Sequence, residues 1–262
     1  MLKNITLGQF YPADSPVHRL DARTKLGATL LYIISLFVSD SFAALGLAAA
    51  ALIAAVALAR ISPGYMLRGT RGILLLVLLS IVCNLFLTDG EVICSFWIFH
   101  ITREGLIQAL RMAARMLLLV LGTSLMTFTT TPTALTDGME HGLRFLTVIK
   151  VPVHEIAMMM SIALRFIPIL AEEADKIEKA QMARGADFES GNAFRRAKAL
   201  VPVLVPLFVS AFRRAGDLAM AMEARCYRGS EGRTRMKPLH YGRRDLIAAC
   251  AVLLYFAGMI VL

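Results

Sequence analysis

Five uncharged apolar stretches divide this sequence: Leu26–Ser39, Ser41–Ala59, Gly72–Thr88, Met116–Thr136 and Leu246–Leu262. A helix needs about 20 apolar residues to cross the roughly 30 Å hydrocarbon layer of a bilayer. Stretches of this length and purity predict membrane helices at about 23–39, 41–59, 71–88, 106–128 and 245–262. A sixth run, Val92–Thr102, is too short to span. It is expected to lie in the interface or to re-enter, with Trp97 as an interfacial anchor. The first run begins early enough to resemble a secretory leader. However, Met1–Lys25 is long and polar for the n-region of a leader, and the second run follows almost at once, so both are read as retained helices.

The charges fall between these runs. Residues are 57% hydrophobic and only 18% charged, against roughly 25% charged in an ordinary soluble domain, yet the net charge is +9. Arg19, Arg23 and Lys25 precede the first helix, and Arg60, Arg68 and Arg71 follow the second. The turn at Asp40-Ser41 is acidic, and the loop after the third helix mixes Asp89, Glu91, Arg103 and Glu104. The excess of cations on alternate loops predicts a cytoplasmic N-terminus and an external C-terminus. A nucleic-acid partner would need a basic face with interleaved aromatics, and none is evident.

The stretch 139–245 carries 18 of the 28 Lys+Arg and 12 of the 19 Asp+Glu, and so contributes +6 of the net +9. It also contains two apolar runs, Ile156–Leu170 and Ala199–Phe212, interrupted by Arg165, Pro168, Pro202 and Pro206. Long helices fit best, with apolar parts against membrane or other helices and charged ends in the cytosol. Phe208, Phe212, Ala215, Leu218, Ala219 and Met222 share a helical face, and Arg213, Arg214, Asp217 and Glu223 lie off it. Glu172, Glu173, Lys176 and Lys179 have the spacing for pairing along one helix. Gly185 and Gly191 read as a stop and a turn.

Both long helices end alike. One closes in Ala183-Arg184-Gly185, the other in Ala224-Arg225-Cys226, with Tyr227-Arg228-Gly229 after it. A cation here complements the helix dipole, and Gly185 suits a C-terminal cap. The functional reading is a docking tip. A small residue permits close approach, and Arg presents a rigid fork to a carboxylate. Two such tips suit a partner with two equivalent grooves.

Other features weigh less. Cys83, Cys94, Cys226 and Cys250 form no CxxC pair and read as small buried hydrophobes. The five histidines are scattered, so no metal site is expected. No GxxxxGK[ST] loop and no catalytic pattern stands out. Met158–Met160, Met182, Met220 and Met222 read first as core filler and second as an adaptable surface. Arg111 and Arg115 fall toward the outer side of the fourth helix, against the charge rule, and require a partner, snorkelling or a structural role.

Three blocks, GQFYPADSPVHRLDARTKL, IALRFIPILAEEADKIEKAQMARG and LVPVLVPLFVSAFRRAGDLAMAMEARCYRG, make the chain resemble the transmembrane T component of energy-coupling factor (ECF) transporters. These are prokaryotic importers of vitamins and micronutrients. The Arg-Phe-Ile-Pro block (Arg165–Pro168) and both Arg endings occur in the family's order, and the likeness runs along essentially the whole chain. The resemblance implies an all-α polytopic membrane protein with about five transmembrane helices and a cytoplasmic coupling domain of long amphipathic helices. The divisions are 1–138 for four membrane helices, 139–244 for coupling and 245–262 for a closing helix. It implies a non-catalytic subunit without cofactor, working with two ABC-type ATPase subunits (a homo- or heterodimer) and one S component that binds substrate, or several in exchange. By the same resemblance, Ala183, Arg184, Gly185, Ala224, Arg225 and Cys226 bind the ATPases. The chain departs from the family at Cys226, where Gly is usual, leaving the second tip's backbone as an open question. The opening block looks most like the shared type of T component, rather than one dedicated to cobalt, nickel or biotin. A conventional ABC permease, a membrane enzyme and an S component are the competing classes.

Overall fold

The structure, a computed structural model, describes residues 10–62, 64–66, 71–88, 91–96, 99–188, 192–229 and 239–262. Gly191 and Trp97 lie outside the described residues. The described residues divide into two compact units, one comprising 10–142 with 239–262, the other lying within 143–229.

The first unit is a helix bundle. Its helices are α1 (Ala22–Val38), α2 (Phe42–Ala59), α3 (Arg71–Leu87), α4 (Arg103–Thr129), α5 (Pro132–Gly142) and α8 (Arg243–Val261). Local chemistry sets the starts. The Asp21 side chain accepts from the Arg23 N–H at the head of α1, Ser41 from Ala43 at α2, and Thr102 from Gly105 at α4. The core is built of small and branched residues, with Leu36, Leu45, Ala48, Leu52 and Leu118 buried together. A second cluster holds Ala59, Ile61, Met66 and Phe128. Many of the remaining apolar side chains face outward, among them Leu75, Leu78 and Leu254. This is the pattern of a bundle whose outer solvent is lipid.

A strap formed by residues 10–20 closes one end of the bundle. The Tyr11 N–H donates to the Phe128 carbonyl at 2.9 Å, and the Tyr11 ring lies 5.3 Å from that of Tyr65. His18 holds the strap's own shape. Its Nε2 hydrogen-bonds to the Tyr11 carbonyl at 3.0 Å, and its Nδ1 sits 2.7 Å from the Ser15 hydroxyl. A carbonyl only accepts, so Nε2 carries the proton.

The segment Val92–Thr102 forms an antiparallel hairpin, β1 (Val92–Phe96) with β2 (Phe99–Thr102), and the all-α fold is otherwise unbroken among the described residues. The short apolar segment read as interfacial or re-entrant thus has the form of a two-stranded ribbon. Its anchors are polar: the Thr102 hydroxyl donates to the Thr88 carbonyl at 2.8 Å, and the Arg103 N–H to the Glu91 carbonyl at 2.9 Å.

Arg115, only 8% exposed, pairs with Asp40 in the α1–α2 turn and donates to the Ser39 carbonyl. Its guanidinium holds the Asp40 carboxyl below the ordinary carboxylate range. Arg111 lies over the Phe42 ring at 5.3 Å. The two arginines therefore clamp the acidic turn to α4, and their role is structural.

Close helix approach depends on glycine at Gly138. A Cβ there would meet the Ala22 Cβ and Leu26 Cδ1 of α1 at 3.0 Å and the Ala22 carbonyl carbon at 3.2 Å. Backbone cannot swing aside as a side-chain tip can. Gly138→Ala is expected to cost about 1–3 kcal/mol by pushing α5 off α1, read as a lowered melting temperature in detergent.

The second unit holds a short 3₁₀ turn (Arg144–Ile149) and two long helices, α6 (Val153–Ala183) and α7 (Ala193–Ala224). They contain 31 and 32 residues and run through Pro168, Pro202 and Pro206 without ending. Among the described residues, the helices of at least 18 residues that are long and apolar enough to cross a membrane are α2, α4, α6, the Lys198–Ala224 part of α7, and α8. Helices α1 and α3, read as spans from sequence, have 17 residues each, the short end of the length that crosses a bilayer. The prolines shorten the apolar runs of α6 and α7 but not the helices.

Candidate functional site

The two long helices lock together through polar groups. The Glu173 carboxylate of α6 accepts from the Ser210 hydroxyl and, at 2.9 Å, from Arg214 of α7. Farther along α6, the Gln181 amide donates to the Pro202 carbonyl at 3.4 Å. As α6 numbering rises, α7 numbering falls, so the pair is antiparallel. Pro202 sits in the helix and Pro206 has no N–H, so the carbonyl at 202 lacks its usual intrahelical donor and is free for Gln181. The pairing expected along α6 is corrected accordingly. Lys179 bonds Asp175 at 2.7 Å, while Glu173 turns across to α7.

The tips lie beyond this crossing, in opposite directions along the pair. Arg184 follows Glu173 and Arg225 follows Ser210 by enough helix that, at about 1.5 Å per residue, they stand roughly 40 Å apart along the pair. Each is a Schellman cap. At the first, Arg184 is the C-cap residue, the Gly185 N–H reaches the Met182 carbonyl at 3.0 Å, and the Ala186 N–H reaches Gln181 at 3.0 Å. At the second, Arg225 is the C-cap residue, the Cys226 N–H reaches Glu223 at 2.8 Å, and the Tyr227 N–H reaches Met222 at 3.0 Å. The same two bonds close both ends. Gly185 has φ 88° and Cys226 φ 57°, so both occupy the left-handed position. This answers the question raised by Cys226: the second tip keeps the cap despite losing the glycine.

A side chain in that region costs roughly 1–2 kcal/mol that glycine avoids. Cys226→Gly is therefore expected to raise stability by about 1 kcal/mol without altering the tip, measured by thermal unfolding.

Ala183, Arg184, Gly185, Ala224, Arg225 and Cys226 are all exposed. Neither Arg184 nor Arg225 has a carboxylate partner among the described residues. The caps are satisfied by backbone alone, which leaves both guanidinium groups free. The structure thus brings each triplet together at its own tip and holds the two tips apart.

The surface of α7 is apolar along much of its length. Phe212 is 74% exposed and Phe194 84%, and Val205, Phe208, Val209 and Met220 are exposed with them. The face predicted from Phe208 to Met222 is therefore uncovered by this chain, with Leu218 and Met222 half-buried. The methionine reading is corrected too: Met159, Met160, Met182 and Met220 are exposed rather than core filler. Cys83, Cys226 and Cys250 are likewise exposed, not buried. For Cys83 and Cys250, on apolar helices of the bundle, the surrounding medium does what a core would do in a soluble protein.

Sequence reading missed Glu173, Ser210, Gln181 and Arg214 as the inter-helix lock. The only available signal was the pair of prolines in α7, which leave carbonyls without donors.

Residues 13–236 match the model of the CbiQ family, described as cobalt transport protein. Full-length relatives also match. One from Thermosediminibacter oceani is 53% identical over 259 residues, covering 99% of this chain and 98% of the relative. One from Acidaminococcus fermentans is 50% identical over 256 residues, covering 98% and 96%. One from Bacillus subtilis is 44% identical over 262 residues, covering 98% and 99%. Each carries the name energy-coupling factor transporter transmembrane protein EcfT.

Proposed function

The chain belongs to the family of ECF transporter transmembrane proteins, the T components, and from that premise we propose that it is the coupling scaffold of an ATP-driven importer of vitamins or other micronutrients. The observation that carries the proposal is the pair of identical caps, each presenting an exposed, unpaired arginine at the end of a long helix. Such tips fit acidic grooves on two ATPase subunits, which make up a homo- or heterodimer. When those subunits close on ATP and open after hydrolysis, the groove separation changes. Because α6 and α7 are locked at Glu173, Ser210 and Arg214, tip motion is transmitted along rigid helices rather than absorbed in loops.

The exposed apolar face of α7 offers a docking surface for an S component, which binds substrate and releases it inside on reorientation. Residues 139–244 form the coupling domain, on the cytoplasmic side with the N-terminus, as the distribution of cations supports. ATP hydrolysis belongs to the partners and the chain is non-catalytic. The opening block favours the shared type that serves several interchangeable S components. A second reading, a component dedicated to cobalt, draws on the description of the matched family.

Purification of the tagged full chain from its native membrane, with its partners identified by mass spectrometry, tests this. Two P-loop ATPases and one or more small membrane proteins are expected. A chain that returns alone, or with a periplasmic binding protein as a conventional permease would, overturns it.

A further inference from the structure

The bundle contains a groove that coupling does not use. It occupies about 380 Å³ between α1, α2, α4 and α8, and its walls are almost wholly apolar, with Ala28, Ala55, Gly122 and Ala251 along them. It ends against the stacked rings of Tyr32 and Tyr255, 6.0 Å between centroids. Lys25 lines it two helical turns, about 10 Å, from Tyr32. This ammonium is only 7% exposed. It donates to the carbonyls of His18 at 3.1 Å and Thr129 at 2.8 Å, and forms no ion pair among the described residues, although Asp21 and Asp245 act on it through space. Two carbonyls, with two carboxylates acting only through space, leave this buried ammonium without a direct counter-ion.

More cations surround the same end of the bundle. Arg23 lies over the Tyr241 ring at 5.3 Å, with its Nε buried and unbonded. Arg60 caps α2 just past Leu58, and Arg244 lies in the first turn of α8, one turn before Ala248; Leu58 and Ala248 both line the groove, while Arg19 pairs with Asp14 in the strap. Lys and Arg here outnumber the nearby Asp14, Asp21 and Asp245. The arrangement is an apolar groove within the bundle with cations gathered at one end.

We propose that this groove binds one anionic phospholipid, with an acyl chain between α1, α2, α4 and α8 and the phosphate at the rim formed by Lys25, Arg60 and Arg244. Bilayer lipid is already apolar, so the slot alone gives no preference among lipids. Selectivity comes from the headgroup charge, and the slot fixes where that lipid sits and how slowly it leaves.

The test uses the full chain as purified with its partners, in detergent supplied with equimolar phosphatidylglycerol and phosphatidylcholine, read by native mass spectrometry. Wild-type protein is expected to retain one phosphatidylglycerol and no phosphatidylcholine. Arg60→Gln with Arg244→Gln should lower that retention roughly thirtyfold, the effect of two surface cations together. Ala251→Trp, which fills the slot, should abolish it. Where that variant does not fold, Ala55→Phe fills the slot from α2. Equal retention of both lipids by wild type, or undiminished phosphatidylglycerol on a folded, slot-filled variant, overturns the proposal.

Discussion

A chain carrying Arg184→Glu and Arg225→Glu is expected to fold and enter the membrane normally but to lose its ATPase subunits. The caps that shape the tips are made by backbone bonds from residues 185, 186, 226 and 227, and neither guanidinium takes part. Replacing a C-terminal cation by an anion works against the helix dipole and costs about 0.3–1 kcal/mol at each exposed end. Thermal stability therefore falls only slightly. Docking is different. Removing one member of a desolvated charge pair at an interface costs about 2–5 kcal/mol, and reversal adds repulsion from the acidic groove. One such loss lowers affinity by a factor of roughly thirty or more, and two multiply, since the tips leave the crossing in opposite directions and engage separate grooves. A pull-down from detergent with both ATPase subunits measures this, each single variant serving as an intermediate point. Retained binding in the double variant would assign the tips a purely structural role.

What could be read from the sequence divides along the range of the interactions. Both tips were legible because a Schellman cap is written in a few consecutive residues and a C-terminal arginine is local information. The long helices were legible from their runs, although Pro168, Pro202 and Pro206 disguised their length. The Glu173 lock was misassigned to its own helix because i,i+4 spacing is visible in a sequence and an antiparallel crossing is not. The same limit hid the partner of Arg115: Asp40 lies 75 positions away, and only the α1–α2 turn brings them together. The methionines and cysteines went wrong for another reason. An apolar residue that faces lipid or a protein partner has the same sequence signature as one that faces the chain's own core, because hydropathy reports the preferred medium and not what supplies it. Met159, Met160 and Met220 are thus apolar and exposed in this chain, which is the state expected of a subunit that completes its burial against others.

Asp245 was missed as well, and its loss is expected to be the most damaging single change in the bundle. The carboxylate is only 6% exposed. Its Oδ2 accepts from the Gly242 N–H at 2.9 Å and closes the first turn of α8, while its Oδ1 accepts from the Asp21 N–H at 2.8 Å, across 224 positions, at the head of α1. Asp21 in turn caps α1 by accepting from the Arg23 N–H at 3.0 Å. One side chain therefore sets the starts of two helices and fixes one against the other. In Asp245→Ala both N–H groups lose a charged acceptor in a site that admits little water, and Lys25 loses a nearby negative charge. Hydrogen bonds to charged groups contribute about 1.5–3 kcal/mol each, so a total near 3 kcal/mol is expected. At this chain length that corresponds to a fall of roughly 10 °C in melting temperature, measured by thermal unfolding in detergent. Asp245→Asn keeps one carbonyl oxygen and presents an NH2 group to the other donor, so it should lose about half as much. Equal stability of Asp245→Ala and wild type would mean that α1 and α8 are held by their apolar faces alone.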